Sequence, residues 1–234
     1  IFDGEMKRTH NRPMPKRKFT SKQAFALASL LYTSSLFFYS QLPFGISAIL
    51  LSNLILFLYI QVYTPLKRVN NLSMHVGALV GALPALLGSV AAINSFPYES
   101  ILLAGYILCW QYPHFYGILY PNRADYKKAG FKFISVDETK DNIAYNQIVV
   151  AMIVMFGIVY EMKRRGIIGE AAFWMFTLSY LYKIPAIYKF TSNPVKYGKI
   201  IRIRSYTPFL IIFQFLRLLY RSSSRYTRNV QISW

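Results

Sequence analysis

Cysteine and negative charge are what this 234-residue sequence has least of. Cys109 is the single cysteine, so no disulfide framework and no metal-thiolate set can be built within the chain. It lies inside an apolar run, where a thiol behaves as a small buried apolar side chain. Asp and Glu number 9 against 27 Lys and Arg, a formal net charge of +18. Such an excess suggests nucleic acid, but the distribution argues against it. The basic residues sit almost wholly in connections between apolar runs, as in loops that face the negative side of a membrane. No signal or transit peptide is visible, and the chain opens on Ile1 rather than Met, so it reads as a fragment.

What is present in abundance is apolar length. Hydrophobic residues make up 54% of the chain, mean hydropathy is positive, and apolar runs approach the ~20 residues that span a bilayer as helix. The expected fold is all-α, a polytopic transmembrane helical bundle occupying residues 1–220. Spans are expected near 22–39, 44–63, 74–93, 98–119, 143–160, 167–188 and 204–220, with a polar tail over 221–234. Connections 1–22, 61–73, 120–142 and 183–204 hold 20 of the 27 Lys and Arg, whereas those near 40–43 and 93–98 hold none. The positive-inside rule therefore puts Asp3, Lys67 and Asp125 on one side, the matrix or cytoplasmic side. Lys163, Arg164, Arg165 and the C-terminal tail break the pattern.

Polar groups within apolar runs are costly unless they line a cavity or meet a partner, which singles out Trp110 to Gly130. Gln111, Pro113 and His114 fall within one turn, and Arg123, Asp125, Tyr126, Lys127 and Lys128 follow directly. Trp110, Gln111 and His114, at spacings of three and four, are expected to form one polar patch on a helix face. His114 is suited either to a ligand or to a hydrogen bond with Gln111 or a neighbouring helix. In residues 1–20, a carboxylate at Asp3 precedes Lys7, Arg8 and Arg12. That combination suits either a magnesium diphosphate, which needs hard oxygen ligands and fixed positive charge, or a solvated segment lying on anionic lipid. Tyr63, Lys67 and Arg68 offer the same two readings at the end of the second span, where Pro65 should close the helix. Gly77 and Gly81 have the spacing that lets helices approach closely. His75 is expected at the surface, and Asp137, Glu138 and Asp141 as a cap for the next helix.

Three stretches carry a resemblance. Trp110-Gln111-x-Pro113-His114-Phe115 followed by Asp125-Tyr126-x-x-Ala129-Gly130 resembles the second signature of the protoheme IX farnesyltransferases, the haem O synthases among the UbiA-type intramembrane prenyltransferases. Phe2-Asp3-x-x-Met6-x-Arg8-Thr9-x-x-Arg12-Pro13 and Tyr63-Thr64-Pro65-Leu66-Lys67-Arg68 agree with it, in the family's order. The resemblance implies a bundle of nine helices, of which about seven are represented here. Asp3 would be the last member of an acidic motif that begins upstream.

The activity implied is transfer of farnesyl from farnesyl diphosphate to a vinyl group of haem B, making haem O for cytochrome oxidase. Asp3, Asp125, Lys67 and Arg68 would be catalytic, with Mg2+ held by Asp3 and Asp125. Diphosphate contacts would come from Lys7, Arg8, Arg12, Tyr63, Lys67, Arg68, Arg123 and Tyr126, and haem contacts from His114, Gln111 and Trp110. Quinone-type relatives carry two carboxylates four residues apart in the second motif, where this chain has Asp125 and Ala129, which favours the haem branch. An aromatic polyprenyltransferase of the hydroxybenzoate type is the alternative within the class. A transporter or non-enzymatic haem-handling membrane protein is the alternative outside it. Residues 125–136, where Ala129-Gly130-Phe131 leads into Phe133-Ile134-Ser135-Val136, resemble the mitochondrial members, which implies the inner mitochondrial membrane, with a bacterial plasma membrane as the alternative. The implied partners are farnesyl diphosphate, haem B, the lipid bilayer and a downstream haem-modifying enzyme, with no nucleic acid.

Overall fold

The computed structural model describes residues 2–137 and 141–207, and every regular element among them is helical. In chain order these are α1 (Phe2–Glu5), α2 (Ser21–Ser40), α3 (Gly45–Val69), α4 (Ser73–Ile93), α5 (Tyr98–Leu119), α6 (Arg123–Lys128), α7 (Asp141–Arg164), α8 (Glu170–Leu181), α9 (Ile184–Tyr188) and α10 (Pro194–Ser205). Helices α3, α4 and α7 are long and apolar enough to cross a membrane. Helices α2 and α5, at 20 and 22 residues, have the length as well. Most of the expected seventh span and all of the tail lie outside the described residues, as does Glu138.

Local chemistry explains where these helices start and bend. Thr20 and Gln23 form a reciprocal capping box at the start of α2, with Gln23 N donating to Thr20 Oγ1 at 3.2 Å and Thr20 N to Gln23 Oε1 at 2.9 Å. No residue of α2 is buried, and Phe25, Leu30 and Phe38 point outward, as on a lipid-facing helix. Pro65 does not close α3 as the sequence suggested. The helix widens to π geometry over Leu58–Tyr63, the Thr64 N–H donates to Tyr59 O, and the chain stays helical to Val69. The wider turn accommodates the proline ring and its missing N–H.

Two further expectations are corrected. The span at 167–188 is broken between Leu181 and Ile184, with Pro185 opening α9. The connection 183–204 contains α10, a basic helix capped by Asn193, whose Oδ1 accepts the Lys196 N–H at 3.0 Å. Gly198, Ile201 and Ser205 share its buried face at spacings of three and four. Helix α10 packs tightly on α5: a Cβ on Gly117 would lie 2.9 Å from both Cα and N of Arg202. Gly117→Val is therefore expected to destabilise the protein by about 1–3 kcal/mol, through overpacking against backbone. Thermal denaturation in detergent checks this, with Gly157→Ala, where a Cβ meets nothing within 4 Å, as the near-neutral control.

Two apolar clusters hold the bundle. One gathers Tyr116, Tyr120, Ile148, Phe190 and Ile201 with Met6, Tyr126 and Ala129. The other gathers Tyr106, Cys109, Met155, Val159, Phe173 and Phe176. Cys109 is a free, buried thiol in that second core, as its setting suggested. The three cations that break the charge asymmetry are paired locally. Glu161 binds Arg164 at 2.7 Å and Arg165 at 2.5 Å, and Lys163 lies 2.8 Å from Glu170.

Candidate active site

The N-terminal segment is held down by two residues. Met6 is buried in the first core cluster and Thr9 is 1% exposed, so the charged residues between and beside them are fixed over the bundle. The backbone N–H of Lys7 donates to Asp125 Oδ2 at 3.0 Å, and Arg8 Nη2 donates to Tyr126 Oη at 3.1 Å. Two stretches 118 residues apart thereby meet at one mouth. The backbone of Asp3 is in α1, four residues before Lys7. Arg12 lies on the same segment, exposed, with its N–H on Thr9 O at 3.0 Å.

Asp125 stands in the first turn of α6, and the next residue, Tyr126, anchors that helix. The Tyr126 ring is buried edge-on against Phe131 and Phe133, with centroids 5.6 and 5.3 Å away. Gly130, at φ 73°, closes the turn in the left-handed region that favours glycine, and a Cβ there would sit 3.5 Å from Arg68 Nη2. Lys67 ties the end of α3 to the loop after α6, since its carbonyl accepts the Lys132 N–H at 2.8 Å. The Lys67 ammonium lies 4.1 Å from the centroid of the Tyr63 ring and 5.9 Å from that of Tyr59.

Below this mouth is a cavity of about 510 Å³ lined by Tyr59, Tyr63, Gly77, Gly81, Gln111 and Phe115, among others. The two glycines make room for side chains rather than for a neighbouring backbone. A Cβ on Gly77 would lie 2.6 Å from Tyr63 Cε2, and one on Gly81 would collide with Gln111 Nε2. Tyr63 thus belongs both to the apolar cavity and to the cationic rim. Tyr59, which the sequence reading passed over, shares that position, and the signal was available in the four-residue spacing of Tyr59, Tyr63 and Lys67 on one helix face.

Other expected contacts are dispersed. Gln111 faces the cavity, but Trp110 and His114 turn toward α10, so the three do not form one patch. Trp110 Nε1 donates to Ser205 O at 2.7 Å, His114 Nδ1 is 3.3 Å from Ser205 Oγ, and the two rings stack at 4.4 Å. Position 111 is 100° from 110 around a helix, and tertiary packing exploits the difference. Arg123 is drawn to the start of α7, 3.9 Å from Asp141, which also accepts the Tyr120 hydroxyl at 2.9 Å. His75 is half-buried, its Nδ1 2.7 Å from Tyr112 Oη, rather than at the surface.

A basic rim around a carboxylate, opening into an apolar cavity, is a place for an anionic head on a hydrocarbon tail. The sequence profile of the UbiA prenyltransferase family matches residues 1–193. The chain belongs to the UbiA prenyltransferase family. Its relatives within the family include the protoheme IX farnesyltransferase of Flavobacterium psychrophilum, 41% identical over 131 residues, which are 56% of this chain and 43% of that protein. The mitochondrial protoheme IX farnesyltransferase of Arabidopsis thaliana is 37% identical over 57% of this chain and 31% of its own length. That of Christiangramia forsetii is 33% identical over 80% of this chain and 64% of its own length. The UbiA chain thus spans from about a third to two thirds of these curated relatives. No solved structure matches it.

Asp125 is the carboxylate that could contribute to a magnesium site at this UbiA mouth. Among the described residues no group of three His, Cys, Asp or Glu forms a self-sufficient metal site. Asp125, with one oxygen on the Lys7 N–H, still offers its Oδ1, and Mg2+ is commonly bound by one or two carboxylates together with substrate phosphates.

Proposed function

We propose that the protein is a haem O synthase, transferring farnesyl from farnesyl diphosphate to haem B. The observation that carries the reading is the 3.0 Å bond from Lys7 to Asp125, beside a cavity whose wall and rim share Tyr63. It supports a site in which the segment bearing Asp3 and the loop bearing Asp125 serve one diphosphate.

In this mechanism Arg8, Arg12, Lys67 and Arg68 hold the diphosphate by charge-assisted hydrogen bonds. Asp125 and Asp3 would hold the magnesium, which when bound neutralises phosphate charge. As the farnesyl C–O bond breaks, its electron pair leaves on the diphosphate oxygen, and the fixed cations stabilise that charge where it develops. The cavity under Tyr63 receives the isoprenoid and keeps water from the allylic cation. The haem vinyl π pair then forms the new C–C bond, and water adds to the resulting cation with loss of a proton, leaving a hydroxyl. Gln111, on the cavity wall, is the best placed of the three proposed haem contacts, while Trp110 and His114 would act from the α10 side.

Ala129 supports the haem branch over the quinone branch on physical grounds. It is 3% exposed within the core, where the second carboxylate of the quinone-type pattern would be buried. The membrane we propose is the inner mitochondrial membrane, on the resemblance of residues 125–136.

The test is acceptor choice. A full-length version of the protein given farnesyl diphosphate and magnesium is expected to release diphosphate and make haem O from haem B, and to lose both on chelation. Prenylated hydroxybenzoate with haem unused would establish the aromatic reading instead. Haem binding without diphosphate release would make it a haem-handling protein.

A further inference from the structure

A second cleft, of about 740 Å³, opens between the α3–α4 connection and the loop after α6. It shares no lining residue with the cavity under Tyr63. Lys127 and Lys132 line one wall and Asn70 and Asn71 the other. Neither ammonium has an ion-pair partner among the described residues, and both side chains are exposed. Asn70 Oδ1 accepts the Leu72 N–H at 3.0 Å, which leaves its amide N–H groups to donate elsewhere. The carboxylate of Asp137 stands at the same cleft. Ser135, whose neighbours Ile134 and Val136 line it, is fully buried with its hydroxyl lacking a hydrogen-bond partner.

The apolar part of the cleft decides what kind of anion suits it. Phe131 and Phe133 stack at 5.6 Å and 11°, and both line the wall. Val69, 74% exposed, and Leu72, 53% exposed, flank the two asparagines. Exposed aliphatic side chains beside amides and ammoniums belong at headgroup depth, and this is the face that carries most of the protein's positive charge. A free phosphate would use the lysines alone. A phospholipid would use the lysines and asparagines for its phosphate and the phenylalanine and valine wall for the start of its acyl chains.

We infer that this cleft binds the headgroup of an anionic phospholipid.

Native mass spectrometry of the whole chain, released from mixed phosphatidylcholine and phosphatidylglycerol nanodiscs, tests this. Wild type is expected to retain phosphatidylglycerol preferentially. Lys127→Ala with Lys132→Ala is expected to lose that preference by about tenfold. The paired Lys-to-Arg variant should keep it, as should Lys196→Ala with Lys199→Ala, which removes the same charge from α10. Equal loss in both alanine pairs would mean that the general field binds lipid and would overturn the site. So would displacement of the lipid by inorganic phosphate at equal concentration, or no preference in wild type.

Discussion

Replacing Asp125 by alanine in a full-length version of the protein is expected to lower the rate of haem O formation by about 10²–10³-fold, the scale on which loss of one preorganised electrostatic group slows a charge-separating step. Two effects combine in that loss. The carboxylate would no longer supply an oxygen to the magnesium, and the Lys7 N–H that it accepts at 3.0 Å would lose its partner, loosening the segment that carries Asp3 and Arg8. Asp125→Asn separates the two. The amide oxygen still accepts the Lys7 N–H but is a poor ligand for a hard cation. The asparagine variant is therefore expected to keep wild-type thermal stability and lose activity nearly as far as alanine. Measuring diphosphate release across magnesium concentrations, beside a melting curve, checks both. Normal turnover in the asparagine variant would remove Asp125 from the chemistry.

Arg8→Ala is expected to lower kcat/KM for farnesyl diphosphate by about 10–100-fold, as for loss of one or two hydrogen bonds to a charged group. Much of the loss should fall in KM, since the guanidinium would grip the diphosphate before and during ionisation. Arg8 donates to the Tyr126 hydroxyl at 3.1 Å, which aims the fork, so Tyr126→Phe should reproduce a smaller part of the same loss. Arg8→Lys should fall between wild type and alanine, retaining charge without the planar fork. Steady-state kinetics on the four proteins checks this order. An Arg8→Ala enzyme with unchanged KM and kcat, but a lowered melting temperature, would reduce Arg8 to a structural role.

The long apolar helices were legible in the sequence because lipid imposes a single requirement, apolar length, on each of them. Helix α10 was not, because Pro194–Ser205 is rich in lysine and arginine and buries only Gly198, Ile201 and Ser205 on a narrow face. The continuation of α3 past Pro65 was not legible for a related reason. Local rules say that proline ends a helix, whereas here the preceding turn widens over Leu58–Tyr63 and the helix continues. At the site, the meeting of residues 7–8 with 125–126 followed from charge asymmetry and the resemblance together, because both predict which ends of the helices share a membrane face. The division of Trp110 and His114 from Gln111 did not follow. Spacing on one helix gives angles, but which angle faces a cavity depends on partners such as Gly81 and Ser205 far away in sequence.

The central claim, that the carboxylates of the first segment and of the α6 loop converge on one mouth, is tested most directly by disulfide trapping. In a full-length version with Cys109 replaced, Asp3→Cys paired with Asp125→Cys should cross-link rapidly under mild oxidation. Failure of the pair to cross-link, together with labelling of the two cysteines from opposite sides of the membrane, would contradict the account.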